Sequence, residues 1–373
     1  MSLLQEDTLV LEELVVNDYD KVFKVTDVKA GLKAIICIHN RSLGPTVGGT
    51  RIYPYATFEE ALTDVKRLSK GMTYKSALAG TGFGGAKSVI IADAKKQKTE
   101  ELLLAFGRAV KKLKGLYICA EDIGCTPDDL MIIKRENPYV VGLPHEKSSG
   151  NPSPFTAWGT FRGIQSVLQK LYGSDTIQNR TIAIQGLGSV GASLADYLFW
   201  QGAKLIVSDI DEEKTKAIAK KYGAQACAPH EILSQECDVL APCAMGGIVN
   251  VQNIVKMRCR AIAGCANNQL LKDSDADELR KRGILYAPDF VINAGGLINV
   301  TCELDPKGYN PAVSRAKIHE LYDQLMLIYE IAEQNRISTH QAAVALGDYR
   351  LKYGIGKREI PVCLHHANLS YYN

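Results

Sequence analysis

Two lysines and one aspartate are the side chains best placed to do chemistry. Lys87 sits in Gly84-Gly85-Ala86-Lys87-Ser88-Val89-Ile90-Ile91, a run with no other charge. A lysine in that setting is expected to be partly buried rather than a solvated surface charge. Burial and a neighbouring cation both favour the neutral amine, which makes such a lysine a usable base near neutral pH. Lys75 lies twelve residues earlier, and the two share one cleft if the glycine-rich loop between them folds back. Asp122 follows the short apolar run 116–120, at the C-terminal end of a predicted strand, where α/β folds place ligands.

A second set of residues suits phosphate binding. The apolar strand 181–185 runs into Gly186-Leu187-Gly188-Ser189-Val190-Gly191 and then into a helix. In that G-x-G-x-x-G spacing Gly186 makes a tight turn, Gly188 lets a pyrophosphate approach the backbone, and Gly191 lets helix and strand pack closely. The helix N-terminus offers free N–H groups to the anion. The next apolar strand, 204–208, ends at Asp209, about 20 residues on, where a carboxylate binds a ribose 2′-OH and repels a 2′-phosphate. The expected cofactor is therefore NAD. The competing readings are a glycine turn that serves packing alone and an Asp209 that only caps a helix.

The elements that must position these groups alternate between strand and helix. In the first ~145 residues, 22–25 and 33–39 read as strands. Thr57 with Glu60 forms a capping box ahead of the apolar stripe Ala61, Leu62, Val65, Leu68 and Met72. A glycine-rich loop, 80–85, precedes a strand at 88–92, and 102–113 reads as a helix. Thr126-Pro127-Asp128-Asp129 starts another helix, with an N-cap, a proline at N1 and early acids. Ser148-Ser149-Gly150-Asn151-Pro152-Ser153-Pro154 reads as a linker. Helix 155–171 follows, then strands at 181–185, 204–208, 239–242, 260–264 and 284–287 with helices between, a pattern that implies a parallel, doubly wound sheet. Residues 313–334 and 339–353 read as helices.

The chain has 373 residues, enough for two domains with separate cores. With 44 basic and 41 acidic residues, its net charge of +3 gives no reason to expect nucleic acid or an anionic membrane as a partner. Residues 1–7 lack the basic and apolar regions of a secretory signal. The ten cysteines form no C-x-x-C pair and no zinc spacing. They read as small hydrophobes in a reducing cytoplasm, and no metal is expected.

Seven segments resemble, in order, those of the glutamate/leucine/phenylalanine/valine dehydrogenase family, and the resemblance runs from about Val16 to about Tyr353. They are Pro45-Thr46-Val47-Gly48-Gly49-Thr50-Arg51, Lys70-Gly71-Met72-Thr73-Tyr74-Lys75, Gly84-Gly85-Ala86-Lys87, Ala120-Glu121-Asp122, Ser149-Gly150-Asn151-Pro152, Ala266-Asn267-Asn268-Gln269 and Asn293-Ala294-Gly295-Gly296. The resemblance implies an α/β protein with two domains: an N-terminal substrate domain, 1–147, and a doubly wound Rossmann NAD domain, 148–330. C-terminal helices, 331–373, return to the first domain. It also implies NAD-dependent oxidative deamination of an L-amino acid and a homo-oligomer. Residue by residue, it implies that Lys75 pairs with the substrate α-carboxylate and Lys87 activates a water. Asp122 shuttles protons at the amino group, Asn267 lies near the nicotinamide, and Gly48 and Gly49 line the substrate pocket.

The same resemblance bears on the substrate. Glutamate-specific members carry a lysine before the Gly-Gly pair and a serine late in the second glycine segment. Here those positions are Val47 and Val300, with Leu297 one turn before Val300 if that segment is helical. Met72 and Ala120 match further pocket walls. An apolar pocket leaves a γ-carboxylate unpaired, so a branched-chain aliphatic substrate is expected, leucine first. The rival readings are phenylalanine or valine as substrate, or a NAD-binding sensor with a decayed site. Thr81-Gly82-Phe83 departs from the branched-chain pattern, and Phe83 is expected to narrow the cleft or favour aromatic side chains. His365-His366 reads as solvated tail.

Overall fold

The computed structural model describes residues 8–143 and 148–365, and these fall into two compact units, each an α/β layer structure. The segments 1–7 and 144–147, which include the expected non-signal start and Lys147 at the expected domain boundary, lie outside the described residues, as does His366.

The first unit comprises Met1–Gly150, Val300–Asn310 and Arg350–Asn373. Its sheet contains β1 (Leu9–Leu14), β2 (Lys21–Asp27), β3 (Leu32–Asn40), β4 (Thr46–Tyr53), β5 (Gly84–Ile91) and β6 (Tyr117–Ala120) in the order β1-β2-β3-β5-β4-β6. β1, β2, β3 and β5 pair antiparallel, whereas β4 lies parallel between β5 and β6. Helix α1 (Phe58–Leu78) covers one face through Ala61 and Val65 against Ile35, Cys37 and Val89. Helices α2 (Glu100–Lys112) and α3 (Pro127–Glu136) cover the other, where Ile36, Ile38, Ile52 and Ile90 meet Phe106 and Ile133. With both faces buried, β3 is one apolar run in which alternate residues feed different cores.

The helix starts follow the capping residues. Thr126 and Asp129 form a reciprocal capping box with Pro127 inside it. At α1 the box is half made: Thr57 accepts from the Glu60 N–H at 3.1 Å, but the Glu60 carboxylate accepts from Ala56, one residue upstream of the cap's own N–H. The expected glycine-rich loop is shorter than its composition suggests. Gly80 and Gly82 have positive φ, but β5 already begins at Gly84. A Cβ on Gly84 would lie 2.4 Å from the Asn40 carbonyl, and one on Gly85 would lie 2.1 Å from the Thr73 nitrogen. These glycines bring strand and helix together instead of bending the chain, so Lys87 stands inside a strand and not at a loop end.

The second unit comprises Asn151–Asn299 and Pro311–Tyr349. Its sheet is parallel throughout, with β7 (Thr181–Gln185), β8 (Lys204–Ser208), β9 (Gln225–Ala226), β10 (Glu236–Pro242), β11 (Arg258–Ile262) and β12 (Leu285–Tyr286) in the order β12-β11-β10-β7-β8-β9. The order reverses at β7, the switch point where doubly wound sheets bind ligands. Its first helices are α4 (Ser153–Tyr172), α5 (Ser189–Trp200) and α6 (Glu212–Tyr222). The long helix Pro311–Asn335 lies against α4, where Gly159 and Gly163 leave room for Leu321 and Leu325. Thr339, at the start of the last helix, donates to the Tyr286 carbonyl at 2.6 Å. The expected 148–330 domain is thus interrupted, since Val300–Asn310 belongs to the first unit; the contacts above keep residues 311–349 in the second unit, and the chain's final return to the first is at Arg350, not at 331. No helix among the described residues is long and apolar enough to cross a membrane.

Candidate active site

In the first unit β5 and the end of β6 bring Lys87 and Asp122 into contact. The Lys87 ammonium lies 3.0 Å from Asp122 Oδ2, with the two side chains only 9% and 19% exposed. Arg51, two residues beyond Gly49 on β4, donates through Nε to the same oxygen at 3.1 Å. Burial works to raise the Asp122 pKa, but the Lys87 and Arg51 charges outweigh it and hold the carboxyl below its ordinary range. Glu121 next door moves the other way, pushed up by burial and by the Asp122 charge.

Two glycines make this pairing possible. A Cβ on Gly49 would lie 2.5 Å from the Glu121 carbonyl and 2.9 Å from Lys87 Nζ. One on Gly48 would lie 1.8 Å from the Ala86 carbonyl. Any side chain at position 49 therefore occupies the space in which Lys87 meets Asp122. Beneath this floor the buried Tyr117 hydroxyl donates to the Gly48 carbonyl at 2.8 Å and lies 2.9 Å from Ser88 Oγ, which in turn donates to Thr50 at 3.0 Å. Neither this hydroxyl group nor Arg51 was expected from the sequence. The available signal was alternation: Thr50 and Ser88 point to one side of the sheet, Arg51 and Lys87 to the other.

Lys75 stands half-buried in the last turn of α1, whose Thr73 packs on Gly85, two residues from Lys87. Met72 and Ala120 are half-buried and Val47 is buried. Leu297 and Val300 share the helix Gly295–Thr301, as the spacing predicts. Val300 is half-buried, and its Cγ2 is 3.6 Å from the Cβ position of Gly142. Phe83 departs from expectation. It is fully buried, and the Arg358 guanidinium covers its ring at 4.6 Å, so it is a packing residue of the C-terminal segment. His365 also departs: its Nε2 lies 2.6 Å from the Asp305 carbonyl, which makes it part of the packed first unit and not solvated tail.

In the second unit the glycine turn has the form that a dinucleotide requires. Gly186 has φ of 95°, and a Cβ on Gly191 would lie 2.0 Å from the Gly186 carbonyl. Gly188 is exposed and nothing lies within 4 Å of its Cβ position, leaving backbone open to a pyrophosphate. Leu187 is buried, and Ser189 and Val190 open helix α5. Asp209 accepts from the Leu187 N–H at 2.6 Å, which ties it to the turn, while Asp211 is the N-cap of α6. Burial raises the Asp209 pKa, but the N–H groups of Leu187 and Asp211 and the Lys214 charge lower it further, leaving a carboxylate below its ordinary range. Asn267 is exposed, and its side-chain oxygen accepts from Asn293 at 2.7 Å. An open glycine, a helix N-terminus and a fixed carboxylate fit a dinucleotide cofactor.

Both units contain stretches that match known protein families. Residues 20–139 match the family described as Glu/Leu/Phe/Val dehydrogenase, dimerisation domain, and residues 207–351 match Glutamate/Leucine/Phenylalanine/Valine dehydrogenase. A leucine dehydrogenase of Geobacillus stearothermophilus is 46% identical over 336 residues, 90% of this chain and 91% of the other. A phenylalanine dehydrogenase of Caldalkalibacillus thermarum is 43% identical over 90% of this chain and 92% of the other. The crystal structure of L-tryptophan dehydrogenase from Nostoc punctiforme superposes with a TM-score of 0.80 at 41% identity, covering 90% of this chain and 96% of that one.

Proposed function

The chain belongs to the glutamate/leucine/phenylalanine/valine dehydrogenase family, and on that footing we propose that it deaminates branched-chain L-amino acids, leucine first, with NAD. The products are the 2-oxo acid, ammonia and NADH, and the reverse reaction is reductive amination. The observation that carries the reading is the nearly buried Lys87–Asp122 pair on the Gly49 floor.

Each residue has a role in this reading. Lys75 pairs with the substrate α-carboxylate and so orients Cα. Gly48 and Gly49 bring backbone, not side chain, against the substrate. Bound at the Gly186–Gly191 turn, NAD supplies the acceptor for the hydrogen that leaves Cα with its electron pair. Ser189 and Val190 offer backbone N–H groups to the pyrophosphate, Leu187 fixes Asp209 at the turn through its own N–H, and Asp209 holds the ribose and disfavours a 2′-phosphate. Asn267 serves the nicotinamide side. Lys87 takes a proton from the water that attacks the substrate's iminium carbon, and Asp122 carries protons to and from the departing nitrogen.

Val47, Met72, Ala120 and Val300 give the first unit apolar residues where a γ-carboxylate would need a partner. Leaving that charge unpaired costs several kcal/mol. Leucine, isoleucine and valine differ by groups worth only about 1–3 kcal/mol, so the preference among them is broad. Phe83 is enclosed by Arg358, which removes the sequence argument for an aromatic substrate. Ten unbridged cysteines fit a reducing cytoplasm. The expected assembly is a homo-oligomer, checked by sedimentation.

Initial rates of NAD and NADP reduction with leucine, isoleucine, valine, phenylalanine, tryptophan and glutamate test the reading. Branched-chain substrates with NAD are expected to exceed glutamate by at least about 100-fold in kcat/KM. A preference for glutamate or an aromatic amino acid overturns the substrate, and no reduction with any of them overturns the activity.

A further inference from the structure

Arg51 holds two carboxylates at once. Its Nε donates to Asp122 Oδ2 at 3.1 Å and its Nη1 to Asp64 Oδ2 at 2.8 Å. The Tyr55 hydroxyl donates to the same Asp64 oxygen at 2.5 Å. Tyr55 and Asp64 line a surface cavity with Arg67, so this chain of contacts runs from solvent to the carboxylate paired with Lys87. Arg51 and Lys87 share one oxygen of Asp122, but they are not equivalent. A lysine can release a proton and change partner, whereas a guanidinium stays charged. Were Lys87 the sole partner, Asp122 would lose its counter-charge each time Lys87 took part in proton transfer.

We propose that Arg51 is a positioning residue for the deamination: a permanent cation that keeps Asp122 ionised and fixed while Lys87 exchanges its proton, with Asp64 and Tyr55 setting the guanidinium. The proposal rests on the role given to Asp122 in the preceding subsection. Only an arginine fits, because two separate nitrogens of one rigid group must reach two carboxylates. The charged and titratable groups around Asp122 are Lys87 from β5, Arg51 from β4, Glu121 beside it and Cys125 across the turn. Removing Arg51 leaves one cation against the burial of Asp122 and the Glu121 charge.

The test is kcat/KM for leucine against pH in the wild type, Arg51→Gln and Asp64→Asn, with and without added guanidinium ion. In Arg51→Gln the acid limb should move up by about 1–2 pH units. Its kcat should fall about 10- to 100-fold with KM for leucine nearly unchanged, as expected when a reacting group is displaced and binding is not. Guanidinium entering from the cavity should restore part of the rate and move the limb back. Asp64→Asn removes an anion and not a cation, so its limb should stay or move down. An Arg51→Gln enzyme with reduced rate, an unmoved limb and no rescue overturns the proposal and leaves Arg51 a structural residue. Asp122 is also read without turnover, from the infrared carboxylate band that Asp122→Asn removes in the wild-type and Arg51→Gln backgrounds. An unshifted titration there overturns the inference about Arg51. Absence of leucine turnover in the wild type, with the infrared shift present, overturns the functional reading alone.

Discussion

At Asp122 burial and pairing act in opposite directions, and pairing wins: the carboxyl sits below its ordinary range despite being nearly enclosed. The consequence for stability has a definite sign. A carboxylate with a depressed folded pKa stabilises the fold above its unfolded value, near 3.9, and loses that contribution as pH falls through its folded value. Asp122→Asn should therefore have a flatter loss of stability below about pH 4 than the wild type, read by thermal melting against pH. A slope equal to the wild type's would mean that the pair does not hold the carboxyl down in solution. Lys87 leads to a kinetic prediction. Lys87→Ala should lose about 10²- to 10⁴-fold in kcat while NADH still quenches or enhances fluorescence as in the wild type, since the glycine turn lies in the other unit. Near-normal turnover would end the role given to this lysine. The burial of Lys87 was legible because a lone charge in an apolar run does not suit a solvated face. Arg51 was not, because nothing in Gly49-Thr50-Arg51-Ile52 tells which face of the sheet the guanidinium takes or that Asp64 and Asp122 meet there.

The elements show where composition misleads. Gly84 and Gly85 read as loop because glycine is common in loops, yet both lie in β5 without positive φ. Sequence alone does not separate a glycine that turns the chain from one that lets a neighbour close in. The same ambiguity hid β4, whose Gly48-Gly49 breaks the continuous apolar run that marks β3 and β8. By contrast β7 and β8 match the expected 181–185 and 204–208 residue for residue, because a buried parallel strand is a continuous apolar run with clear ends. Gly85 offers a test at this scale. A Cβ there meets the Thr73 backbone at 2.1 Å, and a helix backbone cannot rotate out of the way. Gly85→Ala must lift α1 from β5, with Met72 and Lys75 on that helix. The expected result is about 1–3 kcal/mol of lost stability or more, together with a raised KM for leucine. Unchanged melting and KM would show that α1 has more room than its packing indicates.

Considered as a whole molecule, the first unit is assembled from three separated stretches of chain, and its last stretch carries no periodic pattern that could announce it. Residues 350–365 are held by specific polar contacts and not by an amphipathic stripe. Arg350 donates to the Ala77 and Leu78 carbonyls at 2.9 and 3.1 Å, capping the end of α1. Arg358 covers Phe83, donates through its backbone to Leu43 at 2.8 Å and through Nη2 to Leu304 at 2.9 Å. Hydrogen bonds from a charged donor contribute about 1.5–3 kcal/mol each and a cation–π contact about 0.5–2. Replacing both arginines with alanine should therefore destabilise the first unit by several kcal/mol, while the second unit keeps every residue of its glycine turn. The double variant is expected to melt about 5–15 °C below the wild type and to lose leucine turnover on warming before it loses NADH binding. Both properties failing at one temperature would mean that the two units unfold as one, and an unshifted melting point would mean that the C-terminal arginines only decorate the surface they touch.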